Sequence, residues 1–145
     1  MKDKIKIFNA NAATSSTPIP LHDSHIMAGF PSPADDYVEN NLDLNTHLID
    51  HPAATYFVKV MGDSMIDANI FSGDILIVDK SLPIADKKIV IAVIDGEFTV
   101  KRIRINDGKI ILEANNPQFD NIKIDTSNYE LTIFGIVTYI IHKAK

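Results

Sequence analysis

From residue 55 onward the apolar and polar positions follow the short period of β-strands. Thr55-Tyr56-Phe57-Val58-Lys59-Val60 is rich in β-branched and aromatic residues, which suit a pleated, half-buried surface. Asp74 to Asp79 is a second such run, entered through the turn pair Ser72-Gly73, and Lys88 to Ile94 is a third. Asp95-Gly96 follows at once, a dipeptide that fits a tight type I′ hairpin, and Phe98 to Ile105 returns as its partner strand. Asn106-Asp107-Gly108 makes another turn into Lys109 to Glu113, and Leu131 to Ile141 is the last strand. The pattern predicts a mostly β, antiparallel domain of sequential hairpins. No repeat at solenoid spacing is present.

The first third of the chain reads differently. Asn9 to Pro20 is Asn, Ala, Thr, Ser and Pro without helical or strand period, as expected of a mobile arm. His25 to Pro33 is an apolar cluster broken by Gly29, Pro31 and Pro33. Proline forbids regular helix and pushes the residue before it toward extended geometry, so the segment around Ala28–Gly29 is expected to be extended and accessible. Between Ala34 and Leu48, the spacing of Tyr37, Val38, Leu42, Leu44 and Leu48 predicts one helix.

Composition narrows the function classes. A chain of 145 residues accommodates one domain plus a short arm, and 46% hydrophobic residues are enough to close a core. The net charge of −5 gives little help from phosphate attraction, which disfavours direct DNA binding, and no direct sequence-specific DNA binding is expected. With no cysteine, disulfides and thiolate metal sites are excluded, which fits a reducing, cytoplasmic setting. The N-terminal lysines are not followed by an apolar stretch, and no apolar run is long enough to span a bilayer, so neither a signal peptide nor membrane association is expected.

Two positions have chemical potential. Met61-Gly62-Asp63-Ser64-Met65 follows a strand, and a serine in such a turn can present its hydroxyl away from the sheet while backbone N–H groups of the turn, at Ser64 and Met65, face an oxyanion. On form alone, a plain turn whose Asp63 and Ser64 bond the backbone is the commoner reading. Lys101 lies on the strand Glu97 to Ile105, where alternation puts Thr99, Lys101, Ile103 and Ile105 on one face and Phe98, Val100, Arg102 and Arg104 on the other. A serine hydroxyl needs a base, and a lysine serves only when neutral, a state favoured by burial among apolar groups. The competing reading is a surface lysine whose stem covers apolar area. His22, His25, His47, His51 and His142 lie in no recognised hydrolase setting, and Ser64 lacks the Gly-x-Ser-x-Gly elbow. His47 and His51 stand four apart, but no third ligand accompanies them, so no metal site is expected and both read as surface or helix-end residues. Arg102 and Arg104 read as a solvated strand face rather than a nucleic-acid patch.

Taken in order, Gly29 to Ala34, Ala54 to Lys59, Gly62-Asp63-Ser64-Met65, Gly73 to Asp79 and Asp95 to Lys101 closely resemble the UmuD-like branch of the LexA-like self-cleaving serine peptidases, with compatible spacing from about Gly29 to Ile141. Each piece is weak alone and the combination is specific. The resemblance implies the mostly-β fold shared by LexA and the type I signal peptidases, with a flexible N-terminal arm. It implies Ser64 as nucleophile, Lys101 as general base, and the Ala28–Gly29 bond as the target. Residues 1–28 would then be the removable arm and 29–145 the peptidase domain, with a compact core from about 51 to 145. It further implies a homodimer, cleavage stimulated by a RecA–single-stranded DNA filament, and a processed form that joins a UmuC-like Y-family DNA polymerase in the copying of damaged DNA. No cofactor is implied.

No motif of the family is recognised before His25, and that stretch is too short for a helix-turn-helix domain. Three other readings stay open: a non-catalytic partner-binding module of the same fold, the catalytic half of a repressor, and a processing peptidase acting on other proteins, against which the expected lack of a membrane anchor argues.

Overall fold

The computed structural model describes residues 4–9, 19–22, 28–29, 39–124 and 130–145. The chain divides into two compact units, residues 1–12 with 51–145, and residues 13–50.

The larger unit is a single antiparallel sheet. Its strands are β1 (Lys4–Asn9), β4 (Thr55–Met61), β5 (Ile75–Asp79), β6 (Ile89–Ile94), β7 (Glu97–Asn106), β8 (Lys109–Glu113), β9 (Ile122–Ile124) and β10 (Leu131–Ile141). They lie in the order β1-β4-β5-β10-β6-β7-β8-β9. β1 also approaches β7, so the sheet curls on itself. The mostly β, antiparallel class expected from the sequence is the one observed.

The hairpins form where the turn chemistry puts them. Asp95 and Gly96 both take positive φ, 49° and 82°, the requirement of a type I′ turn, and they register Ile94 against Glu97. Asp107 and Gly108 do the same between Asn106 and Lys109. The C-terminal β10 pairs with both β5 and β6, which puts the last strand in the middle of the sheet. Its Gly135 faces the β5 backbone so closely that a Cβ there would stand 2.6 Å from Val78 Cγ1 and 3.2 Å from Asp79 O.

Two apolar clusters fill the curl. One contains Val58, Val60, Met65, Leu76 and Val100, and the other contains Val90, Ala92, Ile103, Leu112 and Ile136. β7 serves both, through Val100 and Ile103, and is therefore fixed from both faces.

Two elements depart from the sequence reading. Residues 4–9, to which the sequence reading gave no element, form β1, in register with β4 from Lys4↔Met61 to Asn9↔Tyr56. The helix expected over 34–48 is a five-residue helix, α1 (Leu44–Leu48), in the smaller unit. Ahead of it β3 (Glu39–Leu42) pairs with β2 (Ile19–His22), and residues 34–38 lie outside the described residues. Asp43 separates the two elements: its carboxylate accepts from Asn45 N at 3.1 Å and from Thr46 Oγ1 at 2.9 Å, which starts the helix there. Asn40 and Asn41, weak helix formers, remain in the strand.

Candidate active site

Ser64 comes from the turn that follows β4. Asp63 O accepts from Ile66 N at 3.3 Å, and Met65 O accepts from Ala68 N at 3.0 Å and from Ile70 N at 3.2 Å, winding the chain into a short 3-10 turn at Ile66–Ala68. Met65 and Ile70 sink into the first apolar cluster and anchor this turn. Asn116 Nδ2 donates to Asp63 O at 2.8 Å, and Asp67 N donates to Asn115 O at 2.8 Å, so the segment after β8 clamps the turn from a second side.

Lys101 comes from the middle of β7, opposite Val90 of β6. Its neighbour Val100 packs in the same cluster as Met65, the neighbour of Ser64. One core thus locates both residues. Lys101 Nζ lies 3.3 Å from Ser64 Oγ, 3.0 Å from Thr99 Oγ1 and 3.1 Å from Val100 O. Ser64 is 2% exposed and Lys101 6%, which removes both from bulk water and argues against a snorkelling surface lysine. A buried amine at hydrogen-bonding distance from a buried hydroxyl is an arrangement that can move a proton off the hydroxyl.

The alternation read from the sequence holds for Lys101 and Ile103, but Val100 on the opposite face is buried as well. Arg102 donates from Nε to Asn115 Oδ1 at 3.0 Å and from Nη1 to Lys87 O at 2.8 Å, and Arg104 is shared between Asp86 and Glu113. These arginines are structural ties. Arg102 in particular holds the segment that clamps the Ser64 turn. Asn116 and Thr99 are the site residues to which sequence reasoning assigned no role. Asn116 is buried, yet Asn115-Asn116-Pro117 resembles any loop, and its partner at Asp63 is 53 positions away. Thr99 was placed on the correct face, and strand alternation was the signal available for it.

Ala28 and Gly29 are exposed, as expected, but they form a turn rather than an extended segment. Gly29 has φ 89°, a value glycine takes without steric cost. They belong to the smaller unit. Of the histidines, His47 is exposed in the last turn of α1, while His51 Nδ1 lies 2.6 Å from Asp79 Oδ2 and His142 Nδ1 2.6 Å from Asp74 Oδ1. His25 lies outside the described residues. Among the described residues no group of metal-ligating side chains assembles, and no helix is long and apolar enough to cross a membrane.

Comparison with known proteins gives the same family as the resemblance read from the sequence. The family model described as Peptidase S24-like matches residues 20–138. The protein SamA of Salmonella typhimurium is 47% identical over 126 residues, covering 87% of this chain and 86% of that protein. The protein MucA of Escherichia coli is 40% identical over 136 residues, 94% of this chain and 92% of the relative. The LexA repressor of Colwellia psychrerythraea is 34% identical over 120 residues, 83% of this chain and 56% of the repressor. A family match across most of the chain, joined to the SamA and MucA alignments over most of those proteins' length, makes this protein a member of the Peptidase S24-like family.

Proposed function

We propose that this chain is a self-cleaving serine–lysine endopeptidase that cuts its own Ala28–Gly29 bond, with Ser64 as nucleophile and Lys101 as general base. The observation that carries the reading is the 3.3 Å approach of Lys101 Nζ to Ser64 Oγ inside the protein. A neutral amine has two N–H donors and one lone pair. Val100 O can only accept, and Thr99 Oγ1 can take the second N–H, which leaves the lone pair for the Ser64 hydroxyl proton. Burial disfavours the ammonium and supports that state.

The reaction proceeds in two halves. Lys101 takes the proton of Ser64 Oγ as the oxygen bonds to the Ala28 carbonyl carbon, and the oxyanion is held by the backbone N–H groups of Ser64 and Met65. The C–N bond then breaks, Lys101 returns the proton to the Gly29 amine, and an Ala28 ester on Ser64 remains. Water, deprotonated by Lys101, attacks that ester and releases Ala28 as a carboxylate, regenerating Ser64. The small Ala28 suits a narrow pocket, and Gly29 permits close backbone approach. Cleavage needs the Ala28–Gly29 bond extended and docked at Ser64, so the rate follows the fraction of time it is docked. A filament of RecA on single-stranded DNA would act by raising that fraction.

The processed form, residues 29–145, is proposed to act in the cytoplasm as a homodimer, the accessory subunit of a UmuC-like Y-family translesion polymerase in the SOS response. The SamA and MucA relatives support this assignment over a repressor role. The test is incubation of the purified chain at neutral and alkaline pH, with and without the filament, with product masses read directly. A cut between Ala28 and Gly29 that disappears in Ser64→Ala is the expected result. An intact chain under every condition would replace this reading with the non-catalytic partner-binding module.

A further inference from the structure

β1 is a peculiar occupant of the sheet edge. Ile5 and Ile7 are half-buried against the first apolar cluster, opposite Val60 and Val58 of β4. Between them, Lys6 is exposed and stands directly opposite Lys59, which is also exposed. Directly opposed residues of an antiparallel pair share a face, with Cβ atoms about 5 Å apart, and like charges there destabilise the pairing. On its other side Lys59 is paired with Ile75 of β5, which brings no compensating charge. β1 therefore meets the apolar demand of the β4 edge and opposes its charge.

We propose that the β4 edge is a strand-accepting site for a partner protein, which supplies an extended segment of pattern apolar–acidic–apolar, and that β1 is its displaceable resident. The two apolar side chains take the seats of Ile5 and Ile7, the carboxylate faces Lys59, and backbone hydrogen bonds supply the rest of the affinity. An uncovered sheet edge is a template for such pairing. The opening of the site rests on the proposed self-cleavage. While the chain is intact, β1 is tethered at an effective concentration of order mM; once the Ala28–Gly29 bond is cut, β1 becomes part of a separate peptide that dilution removes. Processing would thus remove an occupant as well as shorten the chain.

The site is tested in the full-length chain carrying Ser64→Ala, so that the result does not depend on whether the chain cuts itself. Consecutive N–H groups of a strand point in opposite directions. Val60 N bonds Asp74 O on the β5 side, so the amides of Phe57 and Lys59 face β1. Lys6→Glu is expected to slow their hydrogen exchange by about threefold. Lys59→Glu alone should do the same, and the two reversals together should restore the original rate. Unchanged or faster exchange in either single variant, or additive slowing in the double, would overturn the charge argument.

The partner pattern is tested by adding Ile5→Asp and Ile7→Asp to unseat β1, and titrating the hexapeptides KIKIFN and KIEIFN. The acidic peptide should bind at least about threefold tighter, with the difference lost at high salt and in Lys59→Ala. Equal affinities, or binding of neither peptide, would overturn the proposal. Should the aspartate variant fail to fold, the exchange cycle decides it alone.

Discussion

Asn116 Nδ2 donates to Asp63 O across 2.8 Å and thereby fixes the peptide that joins Asp63 to Ser64. A trans peptide is planar, with its N–H directed opposite to its C=O, so holding the Asp63 carbonyl aims the Ser64 N–H. Asn116 is itself held, its Oδ1 accepting from Gln118 N at 3.0 Å. Replacing Asn116 by Ala is expected to slow self-cleavage by about tenfold to a hundredfold, as misaimed groups do. The pH dependence of the residual rate should stay as in the parent, since Lys101 is untouched. A shifted pH profile would assign Asn116 to the proton transfer instead of to alignment.

Substitutions at the proposed dyad separate chemistry from folding. Ser64→Ala should abolish cleavage, and Lys101→Ala should lower it by about 10²–10⁴-fold, the range of a general base. Lys101→Arg should not rescue, because a guanidinium keeps its proton. Product masses, with circular dichroism to confirm the fold, check all three. Cleavage at the parent rate in Lys101→Arg would remove lysine from the base role.

Without filament, the cleavage rate should climb from neutral into alkaline pH and level off once Lys101 is neutral, by up to about tenfold per pH unit on the rising limb. Rates measured from pH 7 to 11 test this. A flat profile would mean that the lysine is already neutral at pH 7 or is not the base.

Stability should respond to acid through Asp79. Burial raises the pKa of this carboxyl, but hydrogen bonds from Ser81 and His51 outweigh it and hold the value below the ordinary 3.8. Ser81 donates twice, from N at 2.8 Å and from Oγ at 2.6 Å. Because the folded value is depressed, the contribution is fully present above about pH 4 and is lost as pH falls through the folded pKa. Ser81→Ala should therefore lower the melting temperature at pH 6 and have less effect at pH 3.

Gly135→Ala should cost about 1–3 kcal/mol, because the added methyl meets Val78 Cγ1 and the Asp79 carbonyl. Urea denaturation measures it. A neutral effect would mean that β10 can slide along β5 at its bulge, between Val137 and Tyr139.

The sheet was legible because its information is local. The alternation of Val58 and Val60 and the Asp-Gly turns needed no knowledge of the rest of the chain. The proposed roles of Ser64 and Lys101 were not legible in that way, since a plain turn and a surface lysine were the commoner readings until the family resemblance joined them. β1 was overlooked although Lys4-Ile5-Lys6-Ile7 alternates cleanly, because a lone four-residue pattern beside a polar stretch has no visible partner. The 34–48 segment misled in the other direction: its leucine spacing suggested a helix, while the asparagines and the Asp43 cap settled the boundary.

The central position of β10 bears on when the enzyme can exist during synthesis. Among the described strands, β1, β4 and β5 are hydrogen-bonded to β6 through β9 only by way of β10. Ser64 follows β4 and Lys101 lies on β7, so the two are on opposite sides of the strand that comes last among those described. A ribosome-bound chain that still lacks residues 131–141 cannot join the two halves of its ladder. Assembly of the proposed dyad would thereby wait until residues 131–141 have emerged, well after Ser64 and Lys101 themselves, and the proposed self-cleavage would be withheld from the nascent chain until then.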